Sequence, residues 1–419
     1  MARPDAVVVH LDAGELGPCR AVGTLRPAGA APDSPIAFSY AADWWSDPGA
    51  FRLDPSHYEA TTQPQYSEPG HPLAPIFTDA SPDRWGRMLL DYREQDRART
   101  EGRGPRPLGE WDYLLGVNDR LRMGALRFAI PETGAPFLDD SPGSVPPLAD
   151  LRELEQAALV IDDPRRHDAS EIRDALRHLL APGSPMGGAR PKTSFLGSAG
   201  ELWMAKFPSH NDRRDMGAWE YVLNRLARAA GIDVPEVELQ TLSGEYHTSL
   251  ARRFDRREGG GRRMFASAMT LLGKRDREAA SYVEIAEAID LNGAVGHVEA
   301  DLGQLFRRLV FNIMTGHRDD HLRNHGFLRT PAGWRLAPAY DLNPMPEMSQ
   351  HELAVGIADK SPSLEAAINE TAPFCRVTPT SANEIVGEIR AVLSEWQSVA
   401  RDAGLSRPEI DAVSPAFMD

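Results

Sequence analysis

The octet HRDDHLRN occupies residues 317–324 and follows a long apolar run. A carboxylate such as Asp319 can accept or orient the proton of an attacking hydroxyl group. An amide oxygen five residues later, at Asn324, can bind a metal ion that neutralises phosphate charge. The upstream apolar residues recur at helical spacing until Gly316, and they are Leu305, Phe306, Leu309, Val310, Ile313 and Met314. The octet is therefore predicted to form a polar loop at the end of a buried helix.

The spacing H-R-D-x-x-x-x-N is that of a protein-kinase catalytic loop, with Asp319 as the catalytic carboxylate. Two other interpretations stay open at this point. One is a solvated polar turn that merely follows a core helix. The other is a metal-dependent hydrolase, because His317, His321 and His325 recur every four residues. That site would need the three histidines on one continuous helix.

A second acidic candidate lies 17 residues after Asn324. The runs 327–329 and 334–337 flank the turn Thr-Pro-Ala-Gly and predict a β-hairpin. Asp341 follows this hairpin directly, where a kinase carries the aspartate that chelates magnesium between the phosphates. As an isolated residue it would instead be a turn former or a helix cap.

Three upstream features complete the candidate nucleotide site. The Gly-rich segment 183–192, with Ser184, Gly187 and Gly188, can wrap phosphates with its backbone N–H groups. Lys206 ends an apolar strand pattern and is suited to a phosphate contact, paired with Glu220 on the predicted helix 216–229. The alternative interpretations are an ordinary turn for the Gly-rich segment, a charge on an edge strand for Lys206 and a solvated helix residue for Glu220. The five features nevertheless occur in the order that a kinase fold requires.

The composition is that of a soluble protein too long for one compact core. The chain has 419 residues, 42% of them hydrophobic, and a formal charge of −15. This acidic balance argues against direct nonspecific binding to nucleic acid. Two cysteines, Cys19 and Cys375, cannot form a disulfide framework, and no apolar run reaches the roughly 20 residues that span a membrane. We therefore expect a cytoplasmic protein.

Short strands and helices alternate over the first 130 residues, and further strands and helices follow the Pro-rich segment 131–147. Strands are predicted at 7–11, 36–40, 123–130, 192–196 and 202–207. Helices are predicted at 84–93, 109–115, 151–161, 169–180 and 216–229, and most of the chain after residue 280 is predicted to be helical. Residues 131–147 contain five prolines and mark the first domain boundary.

Several strings resemble motifs of the HipA family, the kinase toxins of bacterial toxin–antitoxin pairs. In the C-terminal part they are GGARPK (187–192), ARRFDR (251–256), DDHLRNHGF (319–327) and PAYDL (338–342). In the N-terminal part they are FSY (38–40), PDRWG (82–86) and MGALRF (123–128). The resemblance covers nearly the whole chain.

This resemblance implies an α+β, two-lobed protein-kinase-like fold with a mostly helical C-terminal lobe and an extra mixed α/β N-terminal domain. The expected domains are residues 1–148, an ATP-binding lobe at 149–270 and a helical catalytic lobe at 271–419. Asp319 would be catalytic, Asn324 and Asp341 would bind Mg²⁺, and Lys206 would contact the phosphates of ATP. Arg253, Phe254 and Asp255 would lie at the hinge near adenine and ribose.

The resemblance also implies a regulatory serine and protein partners. Ser184 is the counterpart of a serine that is autophosphorylated in the Gly-rich loop, although it lies one residue before the family position, where this chain has Pro185. A small DNA-binding, HipB-like antitoxin is the implied partner, with DNA reached only indirectly. The implied substrates belong to the translation machinery, such as an aminoacyl-tRNA synthetase. The alternative is a catalytically inactive kinase-fold module that binds an antitoxin.

Overall fold

The structure is a computed structural model that describes residues 4–67, 70–131, 137–138, 145–163, 165, 169–180 and 190–418. Its contacts divide the chain into two compact units. The first consists of Met1–Asn211, Leu242–Gly244 and Asp255–Phe265. The second consists of Asp212–Thr241, Glu245–Phe254 and Ala266–Asp419. The domain boundaries expected after residues 148 and 270 stay predictions.

A five-stranded antiparallel sheet forms the start of the first unit. Its strands are β1 (Val7–Leu11), β2 (Arg20–Pro27), β3 (Ile36–Tyr40), β4 (Gln65–Tyr66) and β5 (Leu126–Ala129), in the spatial order β4-β3-β2-β1-β5. Alternate residues of β1 are buried because successive side chains of a strand point to opposite faces. The predicted bounds of β1 and β3 are confirmed, whereas β2 was not anticipated.

The described residues of the same unit also form five α-helices. They are α1 (Pro75–Thr78), α2 (Arg84–Thr100), α3 (Glu110–Leu115), α4 (Leu151–Asp162) and α5 (Ala169–Leu180). Asp83 caps α2, since its carboxylate accepts a hydrogen bond from the backbone N–H of Gly86 at 2.6 Å. Helix α2 continues to Thr100, beyond the predicted end at Arg93. The sequence pattern missed the last turns because they are mostly polar.

A β-hairpin and a buried ion pair connect the start of α2 to the next part of the unit. Strands β6 (Lys192–Leu196) and β7 (Leu202–Lys206) pair antiparallel, with Lys192 opposite Lys206, which confirms the predicted hairpin. Lys192 is 2% exposed, and its Nζ lies 2.7 Å from Oδ2 of Asp83. The indole N–H of Trp85 donates to the carbonyl of Lys192 at 3.1 Å. Two distant sequence motifs therefore pack together.

The second unit begins with helix α6 (Met216–Ala229) and the antiparallel strands β8 (Val237–Gln240) and β9 (Thr248–Arg252). The predicted bounds of α6 are confirmed. The Asp215 carboxylate caps this helix by accepting from the N–H of Ala218 at 2.9 Å. Gly231 follows the helix with φ +75°, a left-handed conformation that glycine adopts without strain.

The remaining elements are mostly helices. They are β10 (Phe265–Ser267), α7 (Ala268–Leu271), α8 (Tyr282–Asn292), α9 (Val298–Thr315), β11 (Gly326–Thr330), β12 (Gly333–Leu336), α10 (Leu364–Ala366), α11 (Pro379–Leu393), α12 (Trp396–Asp402) and α13 (Arg407–Val413). The predicted hairpin is confirmed, with Thr330 opposite Gly333. The long segment 337–363 lies between β12 and α10 and contains neither helix nor strand, so the helical pattern expected after residue 280 is interrupted there. Within the described ranges, none of the helices combines the length and apolar character needed to cross a membrane.

Candidate active site

The candidate site begins where helix α9 ends. Its apolar stripe is fully buried, as the sequence predicts, and consists of Leu305, Phe306, Leu309, Val310, Ile313 and Met314. Gly316 ends the helix with φ +64°, and a Cβ at this position would lie 2.5 Å from the carbonyl oxygen of Ala416. Only glycine fits this conformation and this close approach. The loop 317–324 therefore leaves the helix in a fixed direction.

The two adjacent aspartates of the loop face different surroundings. The Asp319 side chain is 44% exposed, whereas Asp320 is fully buried. Burial raises the pKa of Asp319, and the nearby charge of Asp341 raises it further against the opposing effects of His321 and His317. A carboxylate with a raised pKa and an exposed edge is suited to accept a proton from a hydroxyl group. The exposure and the raised pKa of Asp319 are compatible with its predicted role, which stays a prediction.

Asn324 ends a short 3₁₀ turn, Leu322–Asn324, and is oriented by the loop itself. Its Nδ2 donates a hydrogen bond to the backbone carbonyl of Asp319 at 2.8 Å. A carbonyl oxygen can only accept, so the amide nitrogen must face it and Oδ1 must point elsewhere. This hydrogen bond fixes the orientation of the Asn324 amide, and the role of its oxygen as a metal ligand stays a prediction.

Asp341 follows the β11–β12 hairpin in a left-handed backbone conformation, with φ +61°. Such a conformation is uncommon for a residue other than glycine, and it often marks functional positions. Because the Asp341 charge acts on Asp319, the two carboxylates are electrostatic neighbours. A divalent cation bound nearby would relieve this repulsion. The Asp341 carboxylate and the Asn324 amide oxygen are hard oxygen ligands, which fit Mg²⁺.

The three histidines of the loop do not form the alternative metal site. They do not lie on one helix, because α9 ends at Thr315 and His321 only precedes the 3₁₀ turn. His317 and His325 are buried, whereas the His321 side chain is 43% exposed. Burial lowers the pKa of His325 to about 3, so this ring is neutral in the folded protein. Among the described residues, no group of three His, Cys, Asp or Glu side chains is arranged to hold a metal ion.

Aromatic packing fixes the residue before Asp341. The rings of Tyr340 and Phe254 lie 5.2 Å apart between centroids, and the Tyr340 hydroxyl donates to the carbonyl of Arg323 at 2.5 Å. Phe254, expected at the hinge, is thus adjacent to the segment that carries Asp341. Its neighbour Arg253 is 4% exposed.

Asp255 has partners inside the first unit. Its carboxylate is fully buried, accepts from the N–H of Gly124 at 2.8 Å and pairs with Arg256. Arg262 extends this attachment by donating to Asp119 at 3.0 Å. These contacts hold the segment 255–265 against the sheet-bearing part of the unit. The ribose contact expected for Asp255 stays a prediction, but its carboxylate is already engaged within the protein.

The remaining predicted residues belong to different parts of the chain. Lys206 is half-buried at the end of β7 in the first unit. Glu220 lies on α6 in the second unit, where its carboxylate accepts from the Ser249 hydroxyl at 3.1 Å. Ser184, Gly187 and Gly188 lie outside the described residues. The nucleotide contacts proposed for this group stay predictions.

Comparison with known proteins agrees with this arrangement. The HipA-like C-terminal domain family matches residues 184–396, about half of the chain, including the loop and Asp341. The chain belongs to the HipA family. The serine/threonine-protein kinase toxin HipA of Shewanella oneidensis is 23% identical over 343 residues, which cover 73% of this chain and 77% of that protein. The solved structure of Shewanella oneidensis HipA with HipB and operator DNA gives a TM-score of 0.67 at 18% identity, covering 98% of this chain and 94% of HipA.

The fold is therefore the α+β kinase-like fold of HipA with its additional N-terminal domain, as expected. Another relative, Y4dM of Sinorhizobium fredii, is 32% identical over 160 residues. That match covers 34% of this chain and 37% of Y4dM, so the chain spans little more than a third of this relative's length.

Proposed function

We propose that this protein is an ATP- and Mg²⁺-dependent serine/threonine protein kinase and acts as the toxin of a toxin–antitoxin pair. The observation that carries the proposal is the arrangement in the second unit. A half-exposed Asp319 has a raised pKa, its own carbonyl orients Asn324, and the carboxylate of Asp341 acts on it electrostatically. These are the groups that phosphoryl transfer to a hydroxyl needs.

In the proposed reaction, the oxygen of a serine or threonine hydroxyl on the acceptor protein attacks the γ-phosphorus of ATP. The new bond joins this oxygen to phosphorus, the bond to the β,γ-bridging oxygen breaks, and ADP leaves. Asp319 orients the hydroxyl and accepts its proton. Asn324 and Asp341 would hold Mg²⁺, which supplies charge neutralisation at the phosphates. Lys206, paired with Glu220, and the Gly-rich segment would contact the phosphates.

The adenosine end of ATP is proposed to lie beside Arg253 and Phe254. Phe254 offers an aromatic face and is in ring contact with Tyr340, next to Asp341. A nucleotide held against it would place its phosphates towards the magnesium ligands. Ser184, Gly187 and Gly188 are proposed to form the phosphate-binding loop, with autophosphorylation of Ser184 as a means of switching the kinase off. A phosphoserine would compete with ATP for the same backbone donors.

The proposed partners follow from the family. The related Shewanella oneidensis HipA was solved with HipB and operator DNA. We propose that this protein likewise binds a small DNA-binding antitoxin in the cytoplasm and reaches DNA only through it. The net charge of −15 is consistent with indirect contact, because direct binding to phosphates requires clustered Lys and Arg. The acceptor is proposed to belong to the translation machinery, such as an aminoacyl-tRNA synthetase.

The test is the transfer of label from γ-labelled ATP in the presence of Mg²⁺. The wild type is compared with Asp319→Asn, and with Asp411→Asn as a matched control at a 67% exposed position of the same unit. Protein purified from cells is first treated with a phosphatase, and mass spectrometry locates the label. We expect label in the wild type and in Asp411→Asn but not in Asp319→Asn. If ATP binds and no variant takes up label or labels a candidate acceptor, the catalytically inactive, antitoxin-binding module replaces the kinase.

A further inference from the structure

Asp320, the second aspartate of the loop, makes three hydrogen bonds in the interior of the second unit. Its Oδ2 accepts from the Tyr282 hydroxyl at 2.7 Å and from Nδ1 of His351 at 2.9 Å. Its Oδ1 accepts from the backbone N–H of Glu352 at 3.1 Å. Asp320, Tyr282 and the His351 side chain are all fully buried. Interior carboxylates are rare unless such partners satisfy them.

These partners come from separate elements. Tyr282 is the first residue of α8, and its hydroxyl also accepts from Nδ2 of Asn312 on α9 at 2.9 Å. His351 and Glu352 belong to the irregular segment 337–363. One carboxylate therefore connects the catalytic loop to two helices and to the segment that follows Asp341.

Backbone hydrogen bonds connect the same parts. The N–H of Glu352 also donates to the carbonyl of Arg318 at 2.9 Å, and the N–H of Tyr282 donates to the carbonyl of Ala354 at 3.1 Å. The Arg318 guanidinium donates to the carbonyl of Met348. The residues on both sides of Asp319 are thus held in place, while the Asp319 carboxylate, among the described residues, has a single long approach of 3.9 Å from Nε2 of His321.

The electrostatics are consistent with a charged anchor. Burial alone would raise the pKa of Asp320, but the hydrogen bond and charge of His351 lower it below the usual value. Burial and the Asp320 charge raise the pKa of Tyr282 well above its usual value, so its hydroxyl stays a donor. Hydrogen bonds to an ionised, desolvated group are strong and have a preferred geometry.

We propose that Asp320, Tyr282 and His351 are positioning residues that fix the orientation of Asp319 towards the acceptor hydroxyl. This inference rests on the proposed kinase function. Because Asp320 is fully buried, it would act by fixing the backbone of the adjacent residue and not by contacting nucleotide or acceptor. The same carboxylate holds the segment 337–363 beside the catalytic loop through His351 and the backbone N–H of Glu352. Misplacing a catalytic group by about 1 Å lowers turnover by about a hundredfold.

The experiment compares His351→Leu, which removes the donor, with His351→Asn, whose Nδ2 lies where Nδ1 of the histidine was. Tyr282→Phe removes one hydroxyl and keeps the ring. His297→Leu is the matched control, since His297 is exposed and its side chain does not cap α9. For each variant, the turnover number and the KM for MgATP are measured by label transfer, and backbone amide exchange is measured by mass spectrometry.

We expect His351→Leu and Tyr282→Phe to lower kcat about tenfold to a hundredfold with KM for ATP nearly unchanged. His351→Asn should recover most of this loss. Amide exchange in His351→Leu should be faster at residues 318–322 and 350–355, and unchanged in α9. His297→Leu should match the wild type in every measurement.

Label transfer by the wild type, combined with an unchanged kcat in folded His351→Leu and Tyr282→Phe, would overturn this inference and leave the kinase function standing. Faster exchange throughout the unit would also overturn it, because that pattern belongs to general destabilisation. Absence of transfer and of ATP binding in the wild type would refute the proposed function, and this inference with it.

Discussion

The buried Lys192–Asp83 ion pair gives a quantitative prediction for the stability of the first unit. The two side chains are 2% and 3% exposed, and their charged atoms lie 2.7 Å apart. Asp83 also caps α2. Removing one partner leaves the other charge in the interior, which costs about 3–5 kcal/mol. We therefore expect Lys192→Met to lower the free energy of unfolding by about that amount.

A matched series separates the ion pair from the helix cap. Asp83→Asn retains a capping acceptor, whereas Asp83→Ala loses it at a further cost of about 1 kcal/mol. The double variant Asp83→Asn/Lys192→Met carries no buried charge and should recover about 1–3 kcal/mol relative to the sum of the single variants. Burial raises the pKa of Asp83 against the opposing charge of Lys192. The unpaired carboxyl in Lys192→Met will thus take up a proton, which limits the loss to the lower part of the range.

Equilibrium urea unfolding at neutral pH, followed by tryptophan fluorescence, measures these differences. Trp85, one of eight tryptophans in the chain, is 1% exposed and donates to the Lys192 carbonyl, so part of the fluorescence change comes from this region. Single variants that unfold within about 1 kcal/mol of the wild type would refute the reasoning, as would additive losses in the double variant.

Two further predictions concern α9 and the loop after it. Gly316→Ala should lower the free energy of unfolding by about 2 kcal/mol or more, because φ is +64° and a Cβ would meet the Ala416 carbonyl at 2.5 Å. Gly303→Ala lies on the same helix and has no atom near its Cβ position, so it should instead raise the free energy of unfolding by up to about 1 kcal/mol. Equal effects of these two substitutions in thermal or urea unfolding would contradict the assigned helix end. His325 is neutral in the folded protein, with a pKa lowered to about 3, so below its usual value only the unfolded chain takes up this proton. The free energy of unfolding should therefore fall by about 1.4 kcal/mol per pH unit from about pH 6 to pH 4 on account of His325 alone. A pH series of urea unfolding curves measures this slope, and His325→Asn should reduce it by the contribution of one proton. An unchanged slope would show that the ring is protonated in the folded protein.

The sequence predicted those parts of the fold that depend on local signals. Helix α6 has the predicted bounds because Asp215 caps one end and Gly231 follows the other. Both hairpins were predicted from apolar runs around Gly-containing turns. Strand β2 was missed because polar residues interrupt its pattern. The segment 337–363 is held by long-range contacts such as that between Glu352 and Asp320, and no local period reveals such contacts.

The candidate site shows the same division between local and long-range information. Motif spacing was enough to select Asp319, Asn324 and Asp341, and the structure shows the Asn324 amide held by Asp319. The spacing could not reveal that Asp320 lies in the interior, since its partner His351 is 31 positions away. The burial of Lys192 was equally hidden, because its counter-charge is 109 positions upstream. These partners are far apart in the sequence, and only folding brings them together.

The central claim is that Asp319, Asn324 and Asp341 form one MgATP site, and calorimetric titration with ATP tests it most directly. The wild type and Asp341→Asn are titrated with Mg²⁺ and with EDTA, and Asp411→Asn serves as the exposed control. Asparagine accepts the left-handed backbone at φ +61°, so this substitution changes the charge and not the conformation. We predict Mg²⁺-dependent binding by the wild type and the control, weakened about tenfold or more in Asp341→Asn. Binding of equal strength with Mg²⁺ and EDTA, or unchanged affinity in Asp341→Asn, would contradict the account.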